Sequence, residues 1–332
     1  MTEVSNVTVA VQSVSGWSKW LTSACPPQIA VAIPAYNEER FIGSVVIQAL
    51  RQTMTVLVID DGSRDATAYI AEEAGATVLR HPVNMGKSQA VNTALSWARQ
   101  HNIDSLVFID GDGQHRPDEI EQVLLPVLEG QADIVVGSRF LSVKSSIPAY
   151  RRVGQHALTA ATNLASSINV SDSQSGFRAF SRAAIELLHF DGTGLSVESE
   201  MQFLIKEHNL KVAEVPISVI YAEKAKRNPF SHGIQIISNI AKLISQHRPL
   251  FFFGLAGFAL MLLGGVFGLI TYDTYFKTYK LAIGYSLISV MLLVIGTLCL
   301  FVGLILQSIK AYFTSLKKTL QRRFTGLPVQ EN

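Results

Sequence analysis

Two stretches near the end of the chain, residues 249–272 and 281–309, contain no charged side chain. Each is longer than the ~20 apolar residues that carry a helix across the hydrocarbon core of a bilayer. Helices buried in a soluble core rarely run that far without a polar position, and the glycines of the first stretch suit close packing between membrane helices. The join, residues 273–280, is short and polar, so the two stretches are expected to form a transmembrane hairpin. Lys242 and Arg248 precede the first span, and Lys310, Lys317, Lys318, Arg322 and Arg323 follow the second. The join carries Lys277 and Lys280, partly offset by Asp273. The excess of basic residues outside the join places both chain ends on the cytoplasmic side.

The remaining sequence is globular in texture. Charged residues make up 16% of the 332, and the net charge of +2 gives no bulk field for nucleic acid. Cys25 and Cys299 have neither metal-knuckle nor disulfide spacing and read as two unpaired thiols. Residues 1–28 show no clear period and no signal-peptide pattern; they read as a tail with a short surface helix around 17–21. Ile234, Ile237, Ala241 and Ile244 recur at helical spacing within 231–248. That segment reads either as an amphipathic helix in the membrane interface or as a helix packed on its own domain. The expected organisation is a tail (1–28), a catalytic domain (29–227), an interfacial helix (228–248), two spans (249–309) and a basic tail (310–332).

Between the tail and the spans, strand and helix alternate. Strands are expected at 29–33, 55–59, 77–79, 105–109 and 134–136, with helices at 39–51, 65–74, 87–101 and 118–128. This is an α/β pattern with a mainly parallel sheet and right-handed crossovers. Ligands bind such sheets at the carboxyl ends of the strands, and the polar clusters fall there.

Asp110-Gly111-Asp112-Gly113-Gln114-His115 follows the fourth strand directly. Two carboxylates so close repel, and a divalent cation relieves that repulsion. Mg²⁺ or Mn²⁺ would take oxygen from Asp110, Asp112 and the Gln114 amide, together with substrate phosphates. An acidic turn is the plainer alternative. Asp60-Asp61 ends the second strand, where Asp61 would meet a nucleobase or ribose; Asp65 reads as a helix cap. After the first strand, Tyr36 offers a stacking face and Glu38 an acceptor for ribose hydroxyls. Gly86-Lys87-Ser88 is not a P-loop, because His81 stands where the first glycine would be needed, although a helix starting at Lys87 would place its N-terminus near phosphates. No G-x-G-x-x-G follows the first strand, which weighs against a dinucleotide dehydrogenase. Paired acidic strand ends also occur in phospho-acceptor domains of the response-regulator kind, but those are shorter and need no membrane hairpin. Arg139, Arg151, Arg152, Arg178, Lys224, Lys226 and Arg227 lie where phosphates would need cations, although each taken singly reads first as a solvated surface charge; the 224–227 cluster also suits anionic lipid headgroups.

Six runs in order, VAIPAYNEE, VIDDGSRD, NMGKSQA, FIDGDGQHRPDEI, VVGSRF and QSGFRAF, resemble the GT-A glycosyltransferases of family 2. The resemblance is closest to dolichol-phosphate mannose synthases and related polyprenyl-phosphate glycosyltransferases and covers roughly residues 29–225. It implies a GT-A fold in which Pro34, Tyr36, Glu38, Ile59 and Asp61 hold the nucleoside. Asp110, Gly111 and Asp112 correspond to the family's Asp-x-Asp motif, here with glycine where many members have alanine. Asp110, Asp112 and Gln114 would bind Mg²⁺ or Mn²⁺. Lys87, Arg139, Lys224, Lys226 and Arg227 would face the diphosphate, and Arg152, Ser175 and Arg178 the acceptor phosphate. Glu198 and Glu200, in Ser-Val-Glu-Ser-Glu-Met, resemble an acidic helix start after the acceptor loop. The implied reaction is an inverting transfer of a hexose from GDP-mannose or a UDP-hexose to dolichyl or polyprenyl phosphate at the cytoplasmic membrane face, with Asp112 and Arg139 central. A homo-oligomer assembled through the spans is compatible with it. Two other readings stand beside it: a hydroxyl-directed transferase of the same fold, and a non-catalytic nucleotide-sugar-binding membrane scaffold. The Gln-x-x-Arg-Trp motif of processive synthases is absent.

Overall fold

The computed structural model describes residues 8–9, 26–53, 55–141, 149–191, 196–220, 238, 241, 244–245 and 248–325. The chain falls into two compact units, Met1–Ile236 and Ile237–Asn332.

The first unit is built on an eight-stranded sheet. In chain order its elements are β1 (Thr8–Val9), β2 (Ile29–Ala35), α1 (Ile42–Leu50), β3 (Val56–Asp60), α2 (Thr67–Glu73), β4 (Thr77–Arg80), α3 (Lys87–Gln100) and β5 (Ser105–Phe108). A 3₁₀ turn at Pro117–Glu119 then leads into α4 (Ile120–Leu128). β6 (Ile134–Ser138), α5 (Ala149–Ser166), β7 (Arg178–Ser181), α6 (Arg182–Leu187), α7 (Val197–Glu207) and β8 (Val212–Pro216) complete it. The spatial order is β1-β8-β6-β7-β5-β2-β3-β4. All neighbours run parallel except β7, which is antiparallel to both β5 and β6.

Strand periodicity sorts the core into two layers. Val31, Ile33, Val56, Val58 and Val107 face α1, α2 and α4. Ala30, Ala32, Leu57, Ile59 and Leu106 face α3, α6 and α7. Helix α3 packs on β2, and Ala90, Ala94 and Ala98 of the helix share a buried cluster with Ala30 and Ala32 of the strand. Small side chains on both sides seat the helix close to the sheet. Phe177, just before β7, and Phe180, within it, are both fully buried, and burial of this kind contributes about 1.5–3 kcal/mol per side chain.

Helix starts lie slightly later than the periodicity predicts, for a local reason. The expected helix over 39–51 begins only at Ile42. Residues 37–39 are drawn into a second loop instead: Asn37 N donates to Ser63 Oγ (2.9 Å), Glu38 N to Thr67 Oγ1 (2.8 Å) and Arg64 N to Asn37 Oδ1 (2.9 Å). Asp65 does bond the start of α2, accepting from Thr67 N at 3.0 Å.

In the second unit, α8 (Pro249–Thr278) and α9 (Ile283–Thr325) form an antiparallel pair, each with a stretch long and apolar enough to cross a membrane. The polar join is shorter than the sequence predicts. Thr274 and Thr278 hydroxyls donate back to carbonyls four residues earlier, and Lys277 pairs with Asp273 at 2.7 Å. These polar side chains are satisfied along the helix, so α8 continues until Tyr279 turns left-handed at φ 53°. The two helices meet at glycine: a Cβ on Gly257 would stand 2.5 Å from Gly296 O, and one on Gly296 2.7 Å from Gly257 O. Ser289 Oγ donates to Gly264 O at 2.7 Å. Of the segment expected to form an interfacial helix, positions 238, 241, 244 and 245 are helical and most of the rest lies outside the described residues.

Candidate active site

β5 ends at Phe108, and Asp110 follows two residues on. Its Oδ1 lies 2.6 Å from Lys87 Nζ, and its Oδ2 lies 3.5 Å from His115 Nε2. Lys87 is the first residue of α3 and reaches also to Glu198 Oε1, at 2.7 Å, in the first turn of α7. Burial alone would lower the Lys87 ammonium, but the charges of Asp110 and Glu198 outweigh it and hold Lys87 above its ordinary value. Burial opposes ionisation of Asp110 too, yet Lys87 and His115 keep its carboxyl well below the usual range. Asp112 behaves oppositely: burial and then the negative charge of Asp110 push it up. Its oxygens accept from Gln114 N (3.0 Å) and Gln114 Nε2 (2.7 Å).

Asp110 and Asp112 thus sit beside each other with one carboxyl destabilised by the other's charge, and both offer hard oxygen. That donor chemistry fits Mg²⁺ or Mn²⁺. Among the described residues, no three His, Cys, Asp or Glu side chains converge as a closed metal cage, so any cation here takes part of its shell from elsewhere. A Cβ on Gly176 would overlap the Asp110 carboxylate, so the loop before β7 approaches this carboxylate closely enough to require glycine.

Of the residues expected at the nucleoside, Tyr36 is 41% exposed at the end of β2. Pro34 lines a small cavity with Lys87 and Asp110. It lies opposite Ile59 in the β2–β3 ladder, and its nitrogen, which carries no N–H, faces β5, where the ladder ends at Ala32↔Phe108. Ile59 is fully buried in the layer beneath α3. Asp61 is also buried, and its carboxylate is engaged by protein: Met85 N (2.9 Å), Gly86 N (2.8 Å) and His81 Nδ1 (2.7 Å), with His81 Nε2 on Thr93 Oγ1 at 2.9 Å. Asp61 therefore closes the loop that delivers Lys87. Gly62 lies against that loop at φ 71°, where a Cβ would be 2.5 Å from the Val83 carbonyl carbon.

At the end of β6, Arg139 forms a two-pronged ion pair with buried Asp172: Nε to Oδ2 at 2.6 Å and Nη2 to Oδ1 at 2.8 Å. Glu214 of β8 accepts from Ser171 N and Ser171 Oγ, pinning the same loop, and its carboxyl is pushed up mainly by burial. Arg178 is 2% exposed; it donates to Ser175 O (2.9 Å) and Ser173 O (2.7 Å), and burial lowers it. Ser175 is fully buried. Ser175 and Arg178, both expected at the acceptor phosphate, thus shape the 171–177 loop. Arg152 lies on α5 with its side chain outside the described residues, as are Lys224, Lys226 and Arg227. Asp172, Glu214 and the structural role of His81 had no signal in the sequence, since each acts on a partner remote along the chain.

A mixed sheet with one reversed strand, and a carboxylate pair at the end of β5, are the arrangement expected of a GT-A fold. Residues 30–188 match the model of glycosyl transferase family 2. A dolichyl-phosphate hexose transferase from Haloferax volcanii is 31% identical over 66% of this chain and 95% of that protein. A UDP-N-acetylglucosamine–dolichyl-phosphate N-acetylglucosaminyltransferase from Methanococcus voltae is 34% identical over 59% and 86%. Glucosyl-3-phosphoglycerate synthase from Mycobacterium tuberculosis, solved with Mn²⁺ and UDP-glucose, has a TM-score of 0.56 at 23% identity over 72% of this chain and 86% of that one, a likeness of fold. The chain belongs to glycosyl transferase family 2 and is a glycosyltransferase.

Proposed function

We propose that this enzyme transfers a hexose or N-acetylhexosamine from a nucleotide-sugar to a polyprenyl or dolichyl phosphate, with a divalent metal, at the cytoplasmic face of a membrane. The observation that carries the reading is the engagement of three carboxylates among the described residues, Asp110, Asp112 and Glu198. Asp110 and Glu198 pair with Lys87, and Asp112 accepts from Gln114. A transferase acting on a sugar hydroxyl needs a positioned carboxylate as base. A phosphate monoester does not: its second pKa is near ~6, so it is largely dianionic at neutral pH.

An acceptor phosphate oxygen attacks the anomeric carbon in line with the leaving group. The new C–O bond forms as the bond to the nucleoside diphosphate breaks, the electron pair leaves with the diphosphate, and the configuration inverts. Charge gathering on that diphosphate is what a cation held by Asp110, Asp112 and the Gln114 carbonyl would neutralise. Lys87 adds positive charge from the start of α3, where helix N–H groups also point outward. Tyr36 stacks on the base, and Arg139 serves phosphate through the loop it holds with Asp172. The names of the Methanococcus and Haloferax relatives support the lipid-phosphate acceptor, and the former puts a UDP-linked donor first among those to test, with GDP-mannose beside it. The basic residues outside the hairpin join support the cytoplasmic orientation.

Detergent-purified protein with Mn²⁺, labelled nucleotide-sugars and a polyprenyl phosphate should move label into the lipid fraction with one donor, and Asp112→Asn should abolish it. Nucleotide binding without transfer from any donor would overturn the acceptor assignment in favour of a hydroxyl.

A further inference from the structure

Asp110, Lys87 and Glu198 form a line of alternating charge drawn from three elements: the end of β5, the start of α3 and the first turn of α7. Lys87 Nζ stands 2.6 Å from Asp110 Oδ1 and 2.7 Å from Glu198 Oε1, so one ammonium is shared between two carboxylates. The three line one small cavity whose other walls include Phe108, Phe180 and Met201, while Lys87 stays 39% and Asp110 26% exposed, so water screens the pair in part. A divalent cation on an Asp110 oxygen would sit ~2.0–2.2 Å from it, close enough to the ammonium for strong repulsion. Lysine has a flexible four-carbon stem and a compact charge, and can shift between the two carboxylates without backbone movement.

We propose that Lys87 and the divalent cation compete for Asp110, and that Glu198 is the positioning residue that receives Lys87 when the cation binds. Entry of the metal then draws the ammonium along the line from Asp110 to Glu198. This rests on the reading of Asp110 and Asp112 as metal carboxylates and adds a role for Glu198 to it.

The test is Mn²⁺ affinity of the detergent-solubilised full chain without nucleotide, read from the free Mn²⁺ electron paramagnetic resonance signal. Lys87→Met should tighten Mn²⁺ binding at least about tenfold, and Glu198→Gln should weaken it about tenfold by leaving Lys87 to Asp110 alone. In the Lys87→Met background, Glu198→Gln should change the affinity less than about threefold, because Glu198 acts through Lys87. Equal Mn²⁺ binding by wild type and Lys87→Met overturns the competition alone. Mn²⁺ bound by neither overturns the metal reading together with it. An equal loss on Glu198→Gln in both backgrounds overturns the positioning role and makes Glu198 a direct ligand. Where Lys87→Met fails to fold, Lys87→Gln takes its place in both comparisons, and unchanged or tighter binding by Glu198→Gln alone overturns the proposal.

Discussion

Gly176 and Arg139 illustrate how single positions constrain the site. A side chain at 176 would overlap the Asp110 carboxylate, which would have to move away from Lys87 and His115 to make room. Gly176→Ala should therefore lower transfer at least about tenfold while the protein stays folded, because a displacement near 1 Å at reacting groups costs this much or more. Measured kcat with an unchanged melting profile would bear this out. Arg139 holds Asp172 through a planar fork that lysine cannot reproduce. Arg139→Lys should lose more than half of the activity, and Arg139→Ala should also destabilise the fold by about 3–5 kcal/mol by stranding a buried carboxylate. Denaturant unfolding of the two variants separates these effects. At this scale the sequence revealed what lies within a few residues: Asp110, Asp112 and Gln114 share one turn. It did not reveal pairs such as Arg139 with Asp172, 33 residues apart, because contacts across such gaps are set by strand order.

Among the elements, β7 and α3 do most to position chemistry. Strand β7 runs against its neighbours, so the 171–177 loop arrives at the same sheet edge as the ends of β5 and β6. A parallel strand would have put that loop at the opposite edge. The alternation of strand and helix predicts a parallel sheet and contains no mark of this reversal. The close seat of α3 on β2 was likewise invisible, although its alanines are plain to read. Ala94→Leu should push α3 away from the sheet and cost about 1–3 kcal/mol through overpacking. Since α3 carries Lys87, donor KM should rise as well; unfolding and steady-state kinetics on one preparation test both. In the loop before α3, Gly62→Ala meets backbone at 2.5 Å and a left-handed φ together, and should destabilise by about 1–3 kcal/mol.

For the whole molecule, the hairpin carries the boldest expectation. If both chain ends are cytoplasmic, a cysteine placed at Tyr279, in the join, should react with an impermeant maleimide in intact cells or spheroplasts, and one at Gln321 only after lysis. The reverse pattern would invert the orientation. The two long apolar helices needed no tertiary information, because an uncharged run of this length has few other physical destinations. The strand–helix alternation and the Asp-Gly-Asp turn were legible for a similar reason: periodicity and local spacing are properties of neighbouring residues. Tertiary structure alone decided which carboxylate meets which cation. It shares Lys87 between Asp110 and Glu198, turns Asp61 toward the 81–86 loop and gives Arg139 to Asp172. Those pairings depend on strand order, on the single reversed strand and on how closely helices sit on the sheet, and all three are set by packing between segments far apart in the chain.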